Sequence, residues 1–302
     1  MAKYKDSKLY ILCNLSLLMA AFISGLSFVA QKIGMIYVGP LSFNMLRCFI
    51  GFLSLLPLLF LSGKMSDKTL INYSNKDLLK GGCLAAIVLF LAFTVNQYCM
   101  IYAPAGKAGF ITSLYIIFVP IIAVFMKQKL HKYVKLSIVI SIIGLYFLCV
   151  KDSMQFELCD IFLLVSAFLF ALHIIIVSYY SKRVSSIKLS FLQFLVAGLL
   201  FVPFVLIFEH LTIESVIAGY KPILFIGVIV TGVAYTLQII GHKVTHPVLA
   251  TLILSSEAVF AVLGGMLFLN ETLSAREIFG CTLMIIAIII SQLAPKDKNI
   301  TI

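Results

Sequence analysis

Ten long apolar stretches along the 302-residue chain restrict the folds that it can adopt. They cover approximately residues 9–31, 41–61, 81–102, 108–126, 133–150, 157–179, 189–208, 222–241, 248–269 and 276–294. A helix needs about 20 residues to cross the hydrocarbon core of a bilayer, whereas a barrel strand needs about ten residues of alternating polarity. The stretches are about twice as long as such strands and are apolar on all sides. They therefore predict an all-α membrane protein.

The composition excludes a water-soluble domain. Hydrophobic residues make up 62% of the chain and charged residues 12%, whereas soluble proteins carry about a quarter charged residues. The formal net charge of +11 therefore indicates basic loops on one membrane face rather than a nucleic-acid partner. The seven cysteines form no Cys-x-x-Cys pair, so neither a disulfide framework nor a zinc site is predicted.

The distribution of Lys and Arg predicts the orientation in the membrane. If the N-terminus lies inside and the spans alternate, most of the 23 Lys and Arg residues fall in the inside loops. The clusters lie at residues 3–8, 64–80, 127–135 and 182–188. Basic loops face the cytoplasm, so we expect a multi-pass plasma-membrane protein with both termini cytoplasmic. The first apolar run is too long for a signal peptide and is interpreted as a retained span.

The second half of the chain repeats the first. Residues 92–96 (Ala-Phe-Thr-Val-Asn) are similar to residues 234–238 (Ala-Tyr-Thr-Leu-Gln), and at the same offset of 142 residues Tyr115 falls on Glu257. Chance similarity between apolar helices is the alternative, but matched prolines and buried polar positions disfavour it. Further matched positions, at an offset of 146 residues, are Arg47 with Gln193 and Pro57 with Pro203.

The repeat predicts how the spans are organised. Residues 1–150 and residues 151–302 would each form a unit of five transmembrane helices. An odd number of spans gives the two units opposite orientations in the membrane. The predicted fold is therefore ten transmembrane helices in two inverted five-helix repeats around a central cavity, with the binding site near the midplane.

Several short segments resemble a known family. They are residues 28–34 (Phe-Val-Ala-Gln-Lys-Ile-Gly), 105–112 (Ala-Gly-Lys-Ala-Gly-Phe-Ile-Thr), 255–262 (Ser-Ser-Glu-Ala-Val-Phe-Ala-Val), 269–274 (Leu-Asn-Glu-Thr-Leu-Ser) and 277–280 (Glu-Ile-Phe-Gly). By their order and spacing the chain resembles EamA-type transporters of the drug/metabolite transporter superfamily. The resemblance implies a ten-helix inverted-repeat carrier and specifies no substrate. Residues 127–130 (Lys-Gln-Lys-Leu) replace the usual Gly-Glu step, so no role of that acid is carried over.

Glu257 is a carboxylic acid about ten residues into the ninth apolar stretch, near the predicted bilayer centre. A charge at the centre of a membrane helix costs about 3 kcal/mol on insertion scales, so such residues face a bundle interior or a water-filled cavity. We interpret Glu257 as a substrate-binding and proton-coupling residue. A structural hydrogen bond to neighbouring helices is the alternative.

Arg47 lies in the second stretch, about 10 Å from its outer edge at the rise of an α-helix. It shares a polar helix face with Asn44, Gly51 and Ser54, which predicts that it points into the bundle. It is a candidate ligand for an anionic substrate group. Snorkelling to outer headgroups or fixing the bundle are the alternatives.

The remaining candidate substrate-binding residues are amides, hydroxyls and aromatic side chains within the spans. Amides both donate and accept hydrogen bonds, which suits uncharged polar or zwitterionic ligands, but they also join membrane helices. Histidine in a bundle relays protons or serves as a structural hydrogen-bonding group. These candidates are Asn96, Gln238, Tyr235, Tyr115, Tyr98, His173, Ser27 and Gln31.

Together these residues predict a secondary active transporter of small amphipathic or zwitterionic metabolites such as amino acids. It would work by alternating access, with protons carried through Glu257, and the resemblance favours export. A lipid flippase and an intramembrane enzyme are the alternatives. The His-Glu-x-x-His, Gly-x-Ser-x-Gly and P-loop motifs are absent from the sequence, so no catalytic residue and no ATP site is predicted.

We expect no cofactor, no metal and no nucleic-acid partner, and either a monomer or a homodimer in the bilayer. His242 and His246 are four residues apart, which is the spacing of two metal ligands on a helix. No acidic or cysteine partner lies near them in the sequence, and Pro247 interrupts the helix. The pair therefore predicts a turn between two spans rather than half of a metal site.

Overall fold

The computed structural model describes residues 7–62, 74–103, 105–128, 130–149, 157–269 and 274–293, and these residues are helical apart from short connections. The helices of the first half are α1 (Ser7–Gly34), α2 (Pro40–Ser62), α3 (Asn75–Tyr102), α4 (Ala105–Ser113), α5 (Tyr115–Phe125) and α6 (Lys132–Cys149). Those of the second half are α7 (Leu158–Tyr180), α8 (Ser186–Phe208), α9 (Ile213–Ala218), α10 (Tyr220–Leu224), the π-helix π1 (Phe225–Ala234), α11 (Tyr235–Gly241), α12 (Pro247–Leu254), α13 (Glu257–Leu269) and α14 (Ala275–Gln292).

Within these ranges, eight helical segments are long and apolar enough to cross a membrane. A shorter apolar segment covers Pro247–Leu263, and α6 occupies the predicted fifth stretch. The chain is therefore an all-helical membrane protein. Three predicted spans differ in detail, because 108–126 and 248–269 are each broken near the middle and 222–241 contains π1.

Side chains at the helix starts explain several of the boundaries. The Ser74 hydroxyl accepts a hydrogen bond from the amide of Asp77 at the start of α3. Ser274 and Glu277 form a reciprocal capping box at the start of α14. Such caps satisfy amide groups that have no partner within the helix. Pro247 occupies the first turn of α12, where its missing N–H group costs nothing.

The two broken spans are interrupted at equivalent positions of the repeat. The first break is at Leu114, between α4 and α5, and the second is at Ser255 and Ser256, between α12 and α13. The hydroxyl groups of Ser255 and Ser256 donate to backbone oxygens three residues earlier, at 2.9 and 2.6 Å. Such bonds compete with regular helical pairing. The breaks place Tyr115 and Glu257 at the first position of the helix that follows each break.

The main contacts between helices are similar when the two halves are exchanged. The first span, α1, packs against α10–α11 and against α12–α13, and its equivalent α7 packs against α3 and against α4–α5. In the same way α2 packs against π1, and α8 packs against α3. The pairs α2 with α8 and α6 with α14 join equivalent helices directly. This contact pattern is that of two halves related by an approximate two-fold axis.

Side chains near the helix ends form hydrogen bonds at each end of the bundle. At one end the Thr245 hydroxyl donates to Asn14 Oδ1 at 2.8 Å, and His246 Nε2 lies 2.9 Å from Gln128 Oε1. Asn14 Nδ2 also donates to Gln292 Oε1 near the end of α14, at 3.2 Å. We name this end, at which α1 begins, the inner end. The opposite end is named the outer end.

At the outer end, Glu209 joins the end of α8 to the start of α2. Its two carboxylate oxygens accept hydrogen bonds from the amides of Leu41 and Ser42, at 2.9 and 2.8 Å. The neighbouring Gly39 has no room for a Cβ atom, because that atom would collide with the Glu209 carboxylate. A carboxylate at a helix N-terminus satisfies free amides and interacts favourably with the helix dipole.

Replacing Glu209 by Ala is expected to destabilise the protein by about 1 kcal/mol, because two amides of α2 lose their partner. The measurement is the midpoint of thermal unfolding in detergent. Glu214→Ala is the matched control, since Glu214 is an exposed acid in the first turn of the short helix α9. Equal midpoints for the two variants would show that the contact between α8 and α2 adds no stability.

Candidate functional site

A central cavity of about 90 Å³ lies between the two halves, and it is lined by side chains of α1 to α5 together with side chains of the second half. Its volume is sufficient for several water molecules. Nine of the ten predicted site residues line it, namely Ser27, Gln31, Arg47, Asn96, Tyr115, His173, Tyr235, Gln238 and Glu257. Other lining residues are Ser24, Phe28, Phe93, Thr112, Phe170, Ile174, Val230 and Leu254.

Glu257 and Tyr115, which the repeat makes equivalent, contact each other. The Tyr115 hydroxyl donates to Glu257 Oε1 at 3.1 Å, and the Ser113 hydroxyl lies 3.4 Å from the same oxygen. A second equivalent pair, Phe93 and Tyr235, packs edge to face with ring centroids 5.8 Å apart. Two equivalent residues meet only where the approximate two-fold axis passes. The cavity therefore lies on that axis.

Arg47 is almost fully buried, with 3% of its surface exposed. Its Nε donates to the Thr231 hydroxyl on π1 at 3.1 Å, and its guanidinium lies 4.1 Å from the ring centroid of Phe93. Snorkelling to outer headgroups is therefore excluded for this conformation. The residues on the same helix face follow the predicted stripe, because Gly51 packs against Thr231 and the Asn44 amide donates to the Phe93 carbonyl at 3.1 Å. In the described part of the chain, no ion pair joins Arg47 to Glu257.

The amide side chains that line the cavity differ in their hydrogen-bond partners. Asn96 Nδ2 donates to the Thr112 hydroxyl at 2.8 Å, which fixes its orientation between α3 and α4. Gln31 Nε2 donates to the Ser27 hydroxyl one turn earlier at 3.0 Å. Gln238 lines the cavity from α11. Donors and acceptors of hydrogen bonds therefore reach the cavity from both halves.

His173 lines the cavity, and its ring forms a hydrogen bond with a residue that does not line it. Its Nε2 lies 3.1 Å from Oε1 of Gln193, a fully buried residue of α8. The ring also packs against Tyr235, with centroids 6.1 Å apart. An amide oxygen accepts hydrogen bonds, so this contact places the proton of a neutral His173 ring on Nε2 and leaves Nδ1 as an acceptor.

Tyr98 is the one predicted site residue that does not line this cavity. Tyr98 is 38% exposed and lines a different depression, together with Val95, Tyr102 and Phe162. The reason is helix geometry, because a residue two positions after Asn96 points about 200° away around the helix. In the part of the chain that the structure describes, no group of three His, Cys, Asp or Glu side chains is arranged to hold a metal.

Sequence reasoning did not select Thr112 and Gln193, which hold two of the lining side chains. Thr112 ends the family-like segment 105–112, which carries the resemblance but does not indicate that this hydroxyl contacts Asn96. Gln193 carried a signal, since it is the repeat equivalent of Arg47. A polar residue whose repeat equivalent is a buried charged residue is therefore a good candidate for a residue that contacts the lining side chains.

Replacing Asn96 or Gln238 by Leu, one at a time, is expected to raise the KM for transport about five- to tenfold. A lost hydrogen bond to an uncharged group costs about 1 kcal/mol and a buried partner left unsatisfied costs somewhat more. The measurement is concentration-dependent uptake into liposomes. Tyr98→Phe is the control, because Tyr98 lies off the cavity. Unchanged KM values in both Leu variants would assign the two amides to helix packing.

Comparison with known proteins agrees with this architecture. A family model described as "EamA-like transporter family" matches residues 11–150 and again residues 157–293. The chain belongs to the EamA-like transporter family. The predicted resemblance is thereby confirmed, and the two matches show that the chain holds two EamA domains.

Relatives and a solved structure are similar over most of the EamA chain. An "Uncharacterized transporter" of Archaeoglobus fulgidus is 32% identical over 281 residues, covering 93% of this chain and 85% of that protein. The "Uncharacterized transporter YoaV" of Bacillus subtilis is 24% identical and covers 89% of this chain and 93% of its own length. A solved crystal structure has a TM-score of 0.77 at 15% identity, over 93% of this chain and 96% of that chain, and shows the fold alone. The protein is a multi-pass membrane protein of a transporter family.

Proposed function

We propose that this EamA protein is a secondary active carrier with ten membrane crossings in two inverted repeats. Five crossings per half give the halves opposite orientations, and rocking about the axis would expose a central site to each side in turn. The exchange symmetry of the helix contacts and the two equivalent pairs on the axis support this arrangement. The charge pattern supports a plasma-membrane location with both termini cytoplasmic.

The substrate class follows from the charges of the cavity, and this observation carries the proposal. Arg47 offers a cation and Glu257 an acid, and no ion pair between them is present in the described residues. A small zwitterion, such as an amino acid, satisfies both groups at once. Phe28, Phe93 and Phe170 provide apolar surface for a side chain. Export is the direction favoured by the family resemblance.

Proton coupling is assigned to Glu257. Its carboxyl is the acid of the cavity lining, it lies on the axis, and both of its hydrogen-bond donors, Tyr115 and Ser113, come from the other half. A change in its charge therefore alters a contact between the two halves that must move relative to each other. A proton gradient would then drive transport through this contact.

A lipid flippase is the second candidate. The observation that favours it is an apolar depression of about 580 Å³ at the outer end, lined by Val95, Tyr98, Tyr102 and Phe162 among others. This depression lies on the face of α3 opposite Asn96, so it shares no lining residue with the cavity. The carrier explains the buried charges, whereas the flippase leaves them without a role.

The test compares two fluxes in liposomes that contain the purified full-length protein. Uptake of a mixture of ¹⁴C-labelled L-amino acids under an imposed pH gradient is compared with the movement of fluorescent phospholipid between leaflets. Amino-acid uptake that exceeds protein-free liposomes, with unchanged lipid movement, supports the carrier. Lipid movement without amino-acid uptake supports the flippase and contradicts the proposed substrate class.

A further inference from the structure

Five buried polar atoms without hydrogen-bond partners lie on the inner side of the cavity. They are Gln193 Nε2, Ser178 Oγ, Ser186 Oγ, His242 Nδ1 and His242 Nε2. Each of the four residues has at most 2% of its surface exposed. Other unpartnered atoms among the described residues lie elsewhere, for example in α2 and α6.

The four residues follow one another from the cavity to the inner end. Gln193 contacts His173, which borders the cavity. Ser178 lies in the last turn of α7, Ser186 begins α8, and His242 directly follows α11. The distance from His173 to the end of α7 is seven residues, or about 10 Å of helix. By their positions along these helices, the unpartnered atoms lie between the cavity and the inner end.

A cluster of apolar side chains packs at the same level of the bundle as these atoms. Val177, Val184, Leu189 and Ile239 form one buried cluster with Ala85 at the same level. A buried donor or acceptor without a partner costs about 1–3 kcal/mol, so five of them in one region would strongly destabilise the fold. Native proteins satisfy such groups with internal water molecules, each of which makes about three hydrogen bonds.

Burial, together with the titratable groups nearby, keeps the His242 ring neutral. Burial lowers the pKa of His242 to about 3, and the nearby titratable groups His173, Lys182 and His246 act in the same direction. Burial also lowers the pKa of Lys182, in the turn after α7. A neutral imidazole has one donor and one acceptor nitrogen, so it can accept a proton on one side and release one from the other.

We propose that internal waters fill the space between α7, α8 and α11 and, together with His242, carry protons between the central cavity and the inner aqueous phase. This inference rests on the proposed proton coupling at Glu257. A proton from the Glu257 carboxyl passes along O–H groups of water, and His242 binds one proton as it releases another. The ring then carries its proton on the other nitrogen, and rotation of the ring about its χ2 angle restores the starting arrangement, so that one proton crosses in each cycle.

The first test replaces His242 by Leu, which removes both nitrogens at similar volume. In liposomes with a trapped pH-sensitive dye, the proton flux driven by the ¹⁴C-amino-acid gradient is expected to fall at least tenfold. Exchange of labelled amino acids at equal pH should stay within twofold of the wild type, because exchange needs no net proton movement. His210→Leu is the matched control, since His210 is exposed beyond α8 at the outer end.

The outcomes separate this inference from the proposed function. If Glu257→Gln abolishes proton flux and His242→Leu preserves it, the path is wrong and the coupling stands. If the wild type moves amino acids without protons, both the coupling and the path are wrong.

A second test needs neither a substrate nor a stable variant. Radiolytic labelling of the wild-type protein in detergent modifies side chains that contact ordered water, even where bulk solvent has no access. His242 is expected to be labelled, whereas the equally buried Phe201 of α8 is the unlabelled reference. An unlabelled His242 would overturn the water-filled path.

Discussion

Replacing Glu257 by Gln is expected to abolish transport driven by a pH gradient, with a fall of at least tenfold to the background of empty liposomes. Gln has the shape of a protonated Glu, and its oxygen still accepts the hydrogen bond that Tyr115 donates at 3.1 Å. It does not ionise, so it stays in one state at every pH. Exchange at equal pH on both sides should persist, with a raised KM because a charge that attracts the substrate is lost.

Tyr115→Phe is the matched control for this experiment. It removes the hydroxyl that contacts Glu257 and leaves the carboxyl free to titrate, so gradient-driven transport should continue with a shifted pH dependence. His173 and Arg47 line the same cavity and remain in both variants. An unaltered response to the pH gradient in Glu257→Gln would reject the coupling role.

Replacing Gly280 by Ala is expected to destabilise the protein by about 2 kcal/mol, within the range for overpacked cores. A Cβ atom at this position would lie 2.6 Å from Leu148 N and 2.7 Å from Gly144 O. Both atoms belong to the backbone of α6, so no side-chain rotation relieves the clash and α6 and α14 must separate. The measurement is the midpoint of thermal unfolding in detergent.

Gly109→Ala is the matched control, because its Cβ atom would meet only the Phe28 ring at 3.7 Å, an ordinary contact. Alanine also favours a helix over glycine by about 1 kcal/mol, so this variant is expected to be as stable as the wild type or more stable. Equal midpoints for Gly280→Ala and the wild type would contradict the close contact between α6 and α14.

Much of the fold was accessible from the sequence, because the bilayer imposes a simple length and polarity rule on each span. The helical class and the family assignment are confirmed. The 142-residue offset also predicted that Tyr115 and Glu257 are equivalent, and the structure adds that they touch. Inward-facing polar stripes, such as the one with Arg47, led to most of the lining residues.

Features that depend on tertiary contacts were not accessible in the same way. The breaks at Leu114 and Ser255 lie inside uninterrupted apolar runs, where hydropathy carries no signal. Tyr98 is a candidate as an aromatic side chain within a span, but helical geometry places it on a different face of α3 from Asn96. The contact between His173 and Gln193 joins two helices, and no local pattern encodes such a pairing.

The contact between Tyr115 and Glu257 also bears on why the two halves are joined in one polypeptide. Two identical half-length chains assembled in opposite orientations about the same two-fold axis would bring identical residues together on the axis, either two acids that repel each other or two phenols that do not ionise near neutral pH. Fusion allows the sequences to diverge there, so that one acid is held by one hydroxyl-bearing partner. A covalently linked duplication can therefore carry a single ionisable group at its symmetry centre, which a homodimer of half-chains is unable to do.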